Sequence, residues 1–133
     1  MKKKHVIAVI IVVIIILGGV FGLQEYLSLR EYKEQVRDMT ISNVDLSRIP
    51  DGSYTGTSDV NYVSAEVKVT VKEHRITKID LVKHNNGKGA KAESLPDKVI
   101  EKQSLDVDMV SGATASSKVI LKAIENALES GVK

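Results

Sequence analysis

The sequence contains no cysteine, and only two of its 133 residues are proline. The missing thiols exclude disulfides, iron–sulfur clusters, thiolate zinc sites, c-type haem attachment and a lipid-modified cysteine anchor. The three histidines, His5, His74 and His84, lack the spacing of metal ligands. We therefore predict that the protein holds no metal.

The chain is also poor in aromatic residues and in net charge. Aromatic residues make up 4% of it, and the formal net charge is +2. Three of the 19 basic residues are the lysines at positions 2–4, and nothing acidic precedes Glu25. The remaining 16 basic residues are balanced by 17 acidic ones, so this part of the chain has no electrostatic footprint for nucleic acid.

Residues 6–23 form one run of eighteen uncharged, almost wholly apolar residues. As a helix this run spans about 27 Å, close to the thickness of a bilayer's hydrocarbon core. The lysines before it predict a cytoplasmic N-terminus and an extracytoplasmic C-terminal part. A cleaved signal peptide has the same basic start, but its apolar core is usually ~7–15 residues long and ends at a small-x-small site. We therefore predict a retained, single-pass anchor in the cell membrane.

The patterns predict three segments: residues 1–23 as cytoplasmic tip and anchor, 24–47 as helical stalk and connector, and 48–133 as a folded domain. From Gln24 to about Thr40 the sequence is charged and helical in pattern, and we expect this helix to continue the membrane span. Its narrow apolar stripe recurs at heptad-like spacing, at Leu29, Tyr32, Val36 and Met39.

The domain begins with strands and ends with helices. An extended segment starts near Tyr54, and residues 65–72 then alternate strictly between apolar and polar, which predicts a half-buried strand. A tight turn at Glu73-His74 leads into a returning strand over 75–84, whose apolar phase shifts after Ile76 and so predicts either a bulge or a change of partner strand. Pro96 suits the first turn of a helix that starts near Leu95. A second helix buries Ile120, Ala123, Ile124, Ala127 and Leu128 and ends at Gly131. This order predicts an α+β fold.

The segment with most chemical content is residues 108–117, DMVSGATASS. Its local interpretation is that Thr114 or Ser116 is the N-cap of the last helix. A hydrolase needs a base beside Ser111, Thr114 or Ser116, and no pattern places His84 and Asp108 there. Residues 85–89, NNGKG, are typical of a turn and lack the spacing of a phosphate-binding loop.

Asp108-x-x-Ser111-Gly112-Ala113-Thr114 resembles the flavinylation motif of the FMN-binding domain family. The Rnf electron-transport complex and the sodium-translocating NADH:quinone reductase both contain members of that family. Residues 49–56 resemble the family's opening strand, 67–79 its hairpin and 103–117 its attachment segment. The resemblance implies a small antiparallel sheet with two packed helices, over about residues 48–130.

The resemblance also implies the chemistry of the site. FMN is attached to Thr114 through a phosphoester bond by an FMN transferase, which takes FMN from FAD with magnesium. Asp108 is then expected to serve recognition by the transferase. The other residues expected around the cofactor are Ser111, Gly112, Ala113, Ser116 and Ser117. If Ser116 and Ser117 cap the helix, Thr114 is left free for attachment. Lys88, Lys91 and Lys118 are candidate charge partners, and Tyr54 and Tyr62 are candidates to stack on the flavin.

The resulting expectation is an anchored electron-transfer flavoprotein that is not itself an enzyme. Its expected partners are the transferase, the membrane, and redox donor and acceptor proteins or quinone-linked systems. Two alternatives stay open: an anchored binding module without redox chemistry, and a domain that binds FMN non-covalently.

Overall fold

The protein is described by a computed structural model that covers residues 2–85 and 90–133. The chain divides into two compact units, Met1–Glu34 and Gln35–Lys133. Residues 86–89, most of the predicted NNGKG turn together with Lys88, lie outside the described residues.

Helix α1 runs without a break from Lys2 to Asp38, so the expected stalk helix continues the apolar run. None of its residues is buried in the protein. Among the described residues, α1 is the one helix long and apolar enough to cross a membrane, and its most apolar window has a mean hydropathy of 3.3. An apolar helix with exposed side chains is unfavourable in water and favourable in lipid. It is therefore a candidate membrane anchor.

A three-stranded antiparallel sheet forms the folded unit, in the order β1 (Gly52–Asp59), β2 (Ser64–Lys72), β3 (Arg75–Asn85). The alternation predicted for β2 is confirmed: its apolar residues Ala65, Val67, Val69 and Val71 are buried. The other face of the sheet carries polar side chains, which include the hydroxyls of Ser53 and Thr70, 3.2 Å apart.

The turn between β2 and β3 is the predicted one, and both of its residues have positive φ, 53° at Glu73 and 62° at His74. Two-residue hairpin turns of the right twist require this backbone, although Asn-Gly is the usual sequence. Contacts outside the hairpin hold this turn: Glu73 N donates to Asp51 Oδ1 at 2.8 Å, and His74 Nδ1 lies 3.2 Å from the Leu46 carbonyl oxygen.

The predicted bulge is confirmed, and a second one accompanies it. Thr70 pairs with Lys78 and Val71 with Ile76, which leaves Thr77 as an extra residue of β3. The pairing shifts again between Lys83 and Leu81, so that Val82 is the second extra residue. The two bulges explain why the apolar phase of β3 does not follow one alternation.

Two helices cover the apolar face of the sheet, as the α+β prediction requires. Helix α2 (Leu95–Lys102) begins with Pro96 in its first turn and follows a short 3₁₀ helix, Ala90–Ser94. Helix α3 (Thr114–Gly131) packs on β1 and β2 and buries the whole predicted stripe from Ile120 to Leu128. Both helices therefore lie where their apolar faces complete one core.

Helix α3 approaches β1 so closely that one position admits no side chain. A Cβ atom on Gly56 would lie 2.1 Å from the Ala123 carbonyl oxygen and 2.4 Å from the Ala127 nitrogen. Further along the same contact, Asn126 Nδ2 donates to the Thr57 carbonyl at 2.9 Å. The last turn of α3, at Gly131, meets the ring of Tyr54. The C-terminal end of α3 thus lies beside the start of β1.

The connector between α1 and β1 is tied to the domain by specific hydrogen bonds. Asn43 Oδ1 accepts from Ser104 Oγ at 3.1 Å and from Leu105 N at 2.8 Å. Asp45 caps a 3₁₀ turn, Leu46–Arg48, by accepting from the nitrogen and hydroxyl of Ser47, and these bonds lower the pKa of the Asp45 carboxyl. Residues 39–45 therefore belong to the folded unit.

Candidate functional site

The predicted attachment segment forms a tight turn immediately before α3. Ala113 N donates to the Val110 carbonyl at 3.0 Å, which closes a four-residue turn over Val110–Ala113. Gly112 has φ +80°, the value that a type II turn requires at its third residue and that glycine adopts without strain. A Cβ on Gly112 would meet no atom within 4 Å. The glycine thus shapes the turn and leaves its outer side open.

Thr114 is the first residue of α3, and it is exposed. The local interpretation of Thr114 or Ser116 as the N-cap is wrong: Ala113 occupies the cap position, with φ −135° and ψ 40°, and the described residues supply no side-chain cap bond. The first N–H groups of a helix have no carbonyl partner one turn earlier and carry partial positive charge. Thr114 therefore offers its hydroxyl where a phosphate is favoured.

Ser117 holds the turn onto the helix from inside. Its Oγ donates to the Ala113 carbonyl at 2.7 Å and accepts from Val110 N at 3.0 Å, and the side chain is fully buried. The expected capping by Ser117 is thus wrong as well, since a residue this far into the helix bonds back to the preceding turn. Its single O–H is donated to the Ala113 carbonyl, so Ser117 would have to break that bond in order to donate to a cofactor.

Ser116 is also buried, with 1% of its surface exposed. Its Oγ has no hydrogen-bond partner among the described residues. Ser116 lies on the inner face of α3, which explains its burial, and it does not cap the helix. The structure thus places Ser111 and Thr114 at the surface, and Ser116 and Ser117 beneath it.

Asp108 is exposed and lines a groove of about 520 Å³ between the loop and α2. Four of the five residues that line this groove are charged: Lys98, Glu101, Lys102 and Asp108, with Val107 as the fifth. We call it the charged groove. Asp108 is thus exposed in a polar setting, six residues before Thr114 in the chain.

A second groove, of about 310 Å³, lies on the other side of the same loop. One wall is the connecting strap, residues 39–43, and the other is residues 105–109. We call it the strap groove. Its apolar lining consists of Met39, Ile41, Leu105, Val107 and Met109, and Lys118 of α3 lies at its edge.

Of the predicted charge partners that the structure describes, Lys118 is the one on the same helix as Thr114. The two residues are one helical turn apart and share a face of α3. Lys118 Nζ donates to the Val36 carbonyl at 2.9 Å, and Lys122 Nζ, one turn further, lies 3.4 Å from the Thr40 carbonyl. Lys91, in contrast, is an exposed residue of the 3₁₀ helix before α2.

The two tyrosines considered as stacking partners differ in position. Tyr54 contacts Gly131, and its hydroxyl donates to the Pro50 carbonyl at 2.6 Å. Because α3 is eighteen residues long, Gly131 lies about 25 Å from Thr114, and Tyr54 is not a stacking partner. Tyr62 is partly exposed in the turn after β1, towards the end of the sheet at which α3 starts.

His84, the one candidate base for a hydrolase, is committed elsewhere. Its Nδ1 lies 3.0 Å from Glu93 Oε1, on the 3₁₀ helix before α2, and its side chain is 2% exposed. Asp108 lies in the charged groove beside α2. The Nδ1 of His84 is thus occupied by Glu93, where a Ser-His-Asp arrangement would require Asp108.

Sequence reasoning missed the strap. Residues 42–50 read as a plain connector, yet Asn43 bonds residues 61 and 62 positions later in the chain. Met39 was visible only as the end of a helical apolar stripe. No local sequence pattern predicts contacts between residues that lie so far apart in the chain.

The domain has an α+β fold and an exposed threonine at the start of a helix, with small residues beside it and a groove on each side of its loop. A site of this class suits a phosphate-bearing cofactor. Comparison with protein families specifies the class. The model of the FMN-binding domain matches residues 62–129, just over half of the chain, so the chain belongs to the FMN-binding domain family.

Two characterised relatives carry related segments. The NADH:acrylate oxidoreductase of Vibrio harveyi is 28% identical over 114 residues, which are 80% of this chain and 11% of that protein. The urocanate reductase of Eggerthella lenta is 34% identical over 85 residues, 61% of this chain and 14% of that protein. The chain thus spans only a small part of the length of these relatives. No solved structure matches it.

Proposed function

We propose that this protein is a membrane-anchored, extracytoplasmic flavoprotein that carries electrons through FMN esterified to Thr114. The observation that carries the proposal is the placement of Thr114: exposed, first in α3, and inside the segment that matches the FMN-binding domain. The names of the two relatives, both reductases, support a redox role.

The residues around Thr114 fit the phosphate of FMN. The start of an eighteen-residue helix supplies N–H donors and a positive partial charge, and Lys118 adds a cation one turn away. Open space beside Gly112 lets a modifying enzyme reach the hydroxyl. When bound, FMN supplies the electron-transfer chemistry, and the protein supplies its position and electrostatic surroundings.

Attachment is a phosphoryl transfer to the Thr114 hydroxyl. The threonine oxygen forms a bond to the FMN phosphorus of FAD, the bond from that phosphorus to the bridging oxygen breaks, and AMP leaves. The hydroxyl proton passes to a base of the transferase. The product phosphodiester keeps one negative charge, which the helix start favours. By itself the protein is then a substrate of the transferase and an electron carrier, and not an enzyme.

A covalent tether suits a protein outside the cytoplasm. A cofactor that dissociates there is lost to dilution, whereas a tethered one stays at high effective concentration whatever its intrinsic affinity. This fits a small domain with open grooves. Its electron donors and acceptors would be membrane-associated proteins or quinone-linked systems.

The attachment is tested on the full chain, produced with and without an FMN transferase and analysed by intact mass after denaturation. We expect a yellow adduct with the mass of FMN less one water only when the transferase is present. Thr114→Ala removes the adduct, and the matched control Ser111→Ala, another exposed hydroxyl of the same loop, keeps it. Colour that is lost on denaturation would indicate non-covalent FMN. A colourless protein in every case would leave only a binding module.

The orientation in the membrane is tested with single cysteines, because the chain has none of its own. Lys68→Cys places a thiol on the exposed face of β2, and Lys3→Cys places one before the apolar run. We expect a membrane-impermeant maleimide to label position 68 in intact cells and position 3 only after lysis. The reverse pattern would contradict the extracytoplasmic placement.

A further inference from the structure

The strap groove is lined by Lys118, one helical turn after the proposed attachment residue, and is unused by the phosphate chemistry described above. We propose that it receives the isoalloxazine ring of the flavin carried by Thr114, so that Met39 and Ile41 of the strap form one wall of the ring site. This inference rests on the proposed function. It adds residues that precede the matched FMN-binding segment, residues 62–129.

The first support is position. Lys118 lies on the face of α3 that carries Thr114, one turn later, and also lines the strap groove. Side chains of a helix lean towards its N-terminus, so the stem of Lys118 leans towards the turn that begins at Thr114. The groove and the attachment hydroxyl are thus neighbours along a single helical turn.

The second support is chemical, because the two grooves beside the loop differ in their lining. The charged groove has four ionisable side chains among its five lining residues. The strap groove has five apolar side chains, among them two methionines, in the eight described residues that line it, and the other three are Asn43, Asp106 and Lys118. An aromatic ring gains most from apolar contact, and methionine sulfur packs favourably against aromatic rings. The ring therefore favours the strap groove, and the charged groove stays available to a polar partner.

The third support is that the strap is held in place. Asn43 bonds Ser104 and Leu105, and Lys118 and Lys122 of α3 bond the carbonyls of Val36 and Thr40 on either side of Met39. The wall is therefore fixed from both ends without any ligand. Met109, on the opposite wall, is 38% exposed and so can be reached by a ligand in the groove.

The positive charge at the edge of the groove has a further consequence. Reduction adds negative charge to a flavin ring, and a nearby ammonium group stabilises that charge. With the ring in the strap groove, the cation of Lys118 raises the midpoint potential of the bound flavin, and the carboxylate of Asp106, which lines the same groove, acts in the opposite direction. Lys118 acts on the ring as a positioning and tuning residue.

The position of the flavin ring in the strap groove is tested on flavinylated full-length protein in detergent. The variants are Met39→Trp in the strap groove and the matched Lys98→Trp in the charged groove. An indole in contact with a flavin quenches its fluorescence. We expect Met39→Trp to lower the fluorescence per covalent flavin several-fold and Lys98→Trp to leave it unchanged. Quenching by Lys98→Trp alone, or by neither, would overturn the proposal.

A second measurement uses charge in place of contact. Lys118→Gln should move the midpoint potential to a more negative value, whereas Lys68→Gln, on the polar face of the sheet, should leave it unchanged. Equal midpoint potentials in the wild type and both variants would contradict the proposed position of the ring in the strap groove. Intact mass is measured first for every variant. If the wild type carries no adduct, the attachment of FMN to Thr114 is refuted. If the adduct is complete but the expected changes in fluorescence and midpoint potential are missing, only the position of the ring is refuted.

Discussion

Gly56 and Gly112 both lie next to helix α3, but Gly56 is tightly packed whereas Gly112 has open space beside it. Gly56 is pressed against the middle of α3, where a Cβ would overlap the backbone of Ala123 and Ala127. Gly112 precedes the first turn of α3, where a Cβ would meet nothing within 4 Å. One glycine serves close packing, and the other serves a backbone conformation with open space beside it. The domain is therefore rigid along α3 and accessible at its start.

The largest effect expected from this comparison is at the packed position. Gly56→Ala forces a methyl group onto backbone atoms that cannot rotate away, so we expect the free energy of unfolding to fall by about 3 kcal/mol. Chemical denaturation of the detergent-solubilised chain measures the loss. The control Thr57→Ala, exposed on the same strand, should change stability by less than about 1 kcal/mol. Equal effects would refute the close contact between α3 and β1.

We expect the stability of the first turn of α3 to depend on the hydroxyl of Ser117 and not on that of Ser116. Ser117→Ala removes the bonds to Val110 and Ala113 and leaves a partly buried N–H without its acceptor, so we expect a loss of about 2 kcal/mol. Ser116→Ala removes a buried hydroxyl that has no partner among the described residues, and should change stability by less than about 0.5 kcal/mol. The same denaturation experiment compares them. A larger loss in Ser116→Ala would contradict this arrangement.

At the open glycine we expect a smaller loss of stability than at Gly56 or Ser117. Gly112→Ala meets no steric contact but places a side chain at φ +80°, so we expect a loss of about 1 kcal/mol. Gly112→Asn should lose less, because asparagine tolerates the left-handed region better. Thermal unfolding in detergent ranks the two variants. If Gly112→Ala is as destabilising as Gly56→Ala, the side of the turn is not open.

The parts of the fold that repeat locally could be predicted from sequence. The alternation of β2, the stripe of α3 and the phase shift in β3 each reflect burial on one side of a regular element, and burial imposes a period on the residues themselves. The Glu73-His74 turn could be located because two strands flank it. Its positive φ values could not be read from these residue types, since contacts with Asp51 and Leu46 hold them.

The position of Thr114 at the start of a helix could be predicted from sequence, whereas the side chains that surround it could not. Thr114 follows from a motif, and its exposure at the start of α3 agrees with the motif's expected use. The roles of Ser116 and Ser117 depend on which face of the helix is buried, and one residue of helix phase decides between a cap and a core position. The strap and its groove depend on contacts about sixty residues apart, such as Asn43 with Leu105, for which the sequence carries no local signal.

The pairing of Arg48 with Lys133 has a consequence for how this domain can be used. Lys133 N donates to the Arg48 carbonyl at 3.1 Å, and Arg48 Nε donates to the Lys133 carbonyl at 3.2 Å, so the segment before β1 and the segment after α3 meet at one point of the surface. Because these two bonds join the connector before β1 to the residues after α3, a fusion that pulls on one of these segments also pulls on the other.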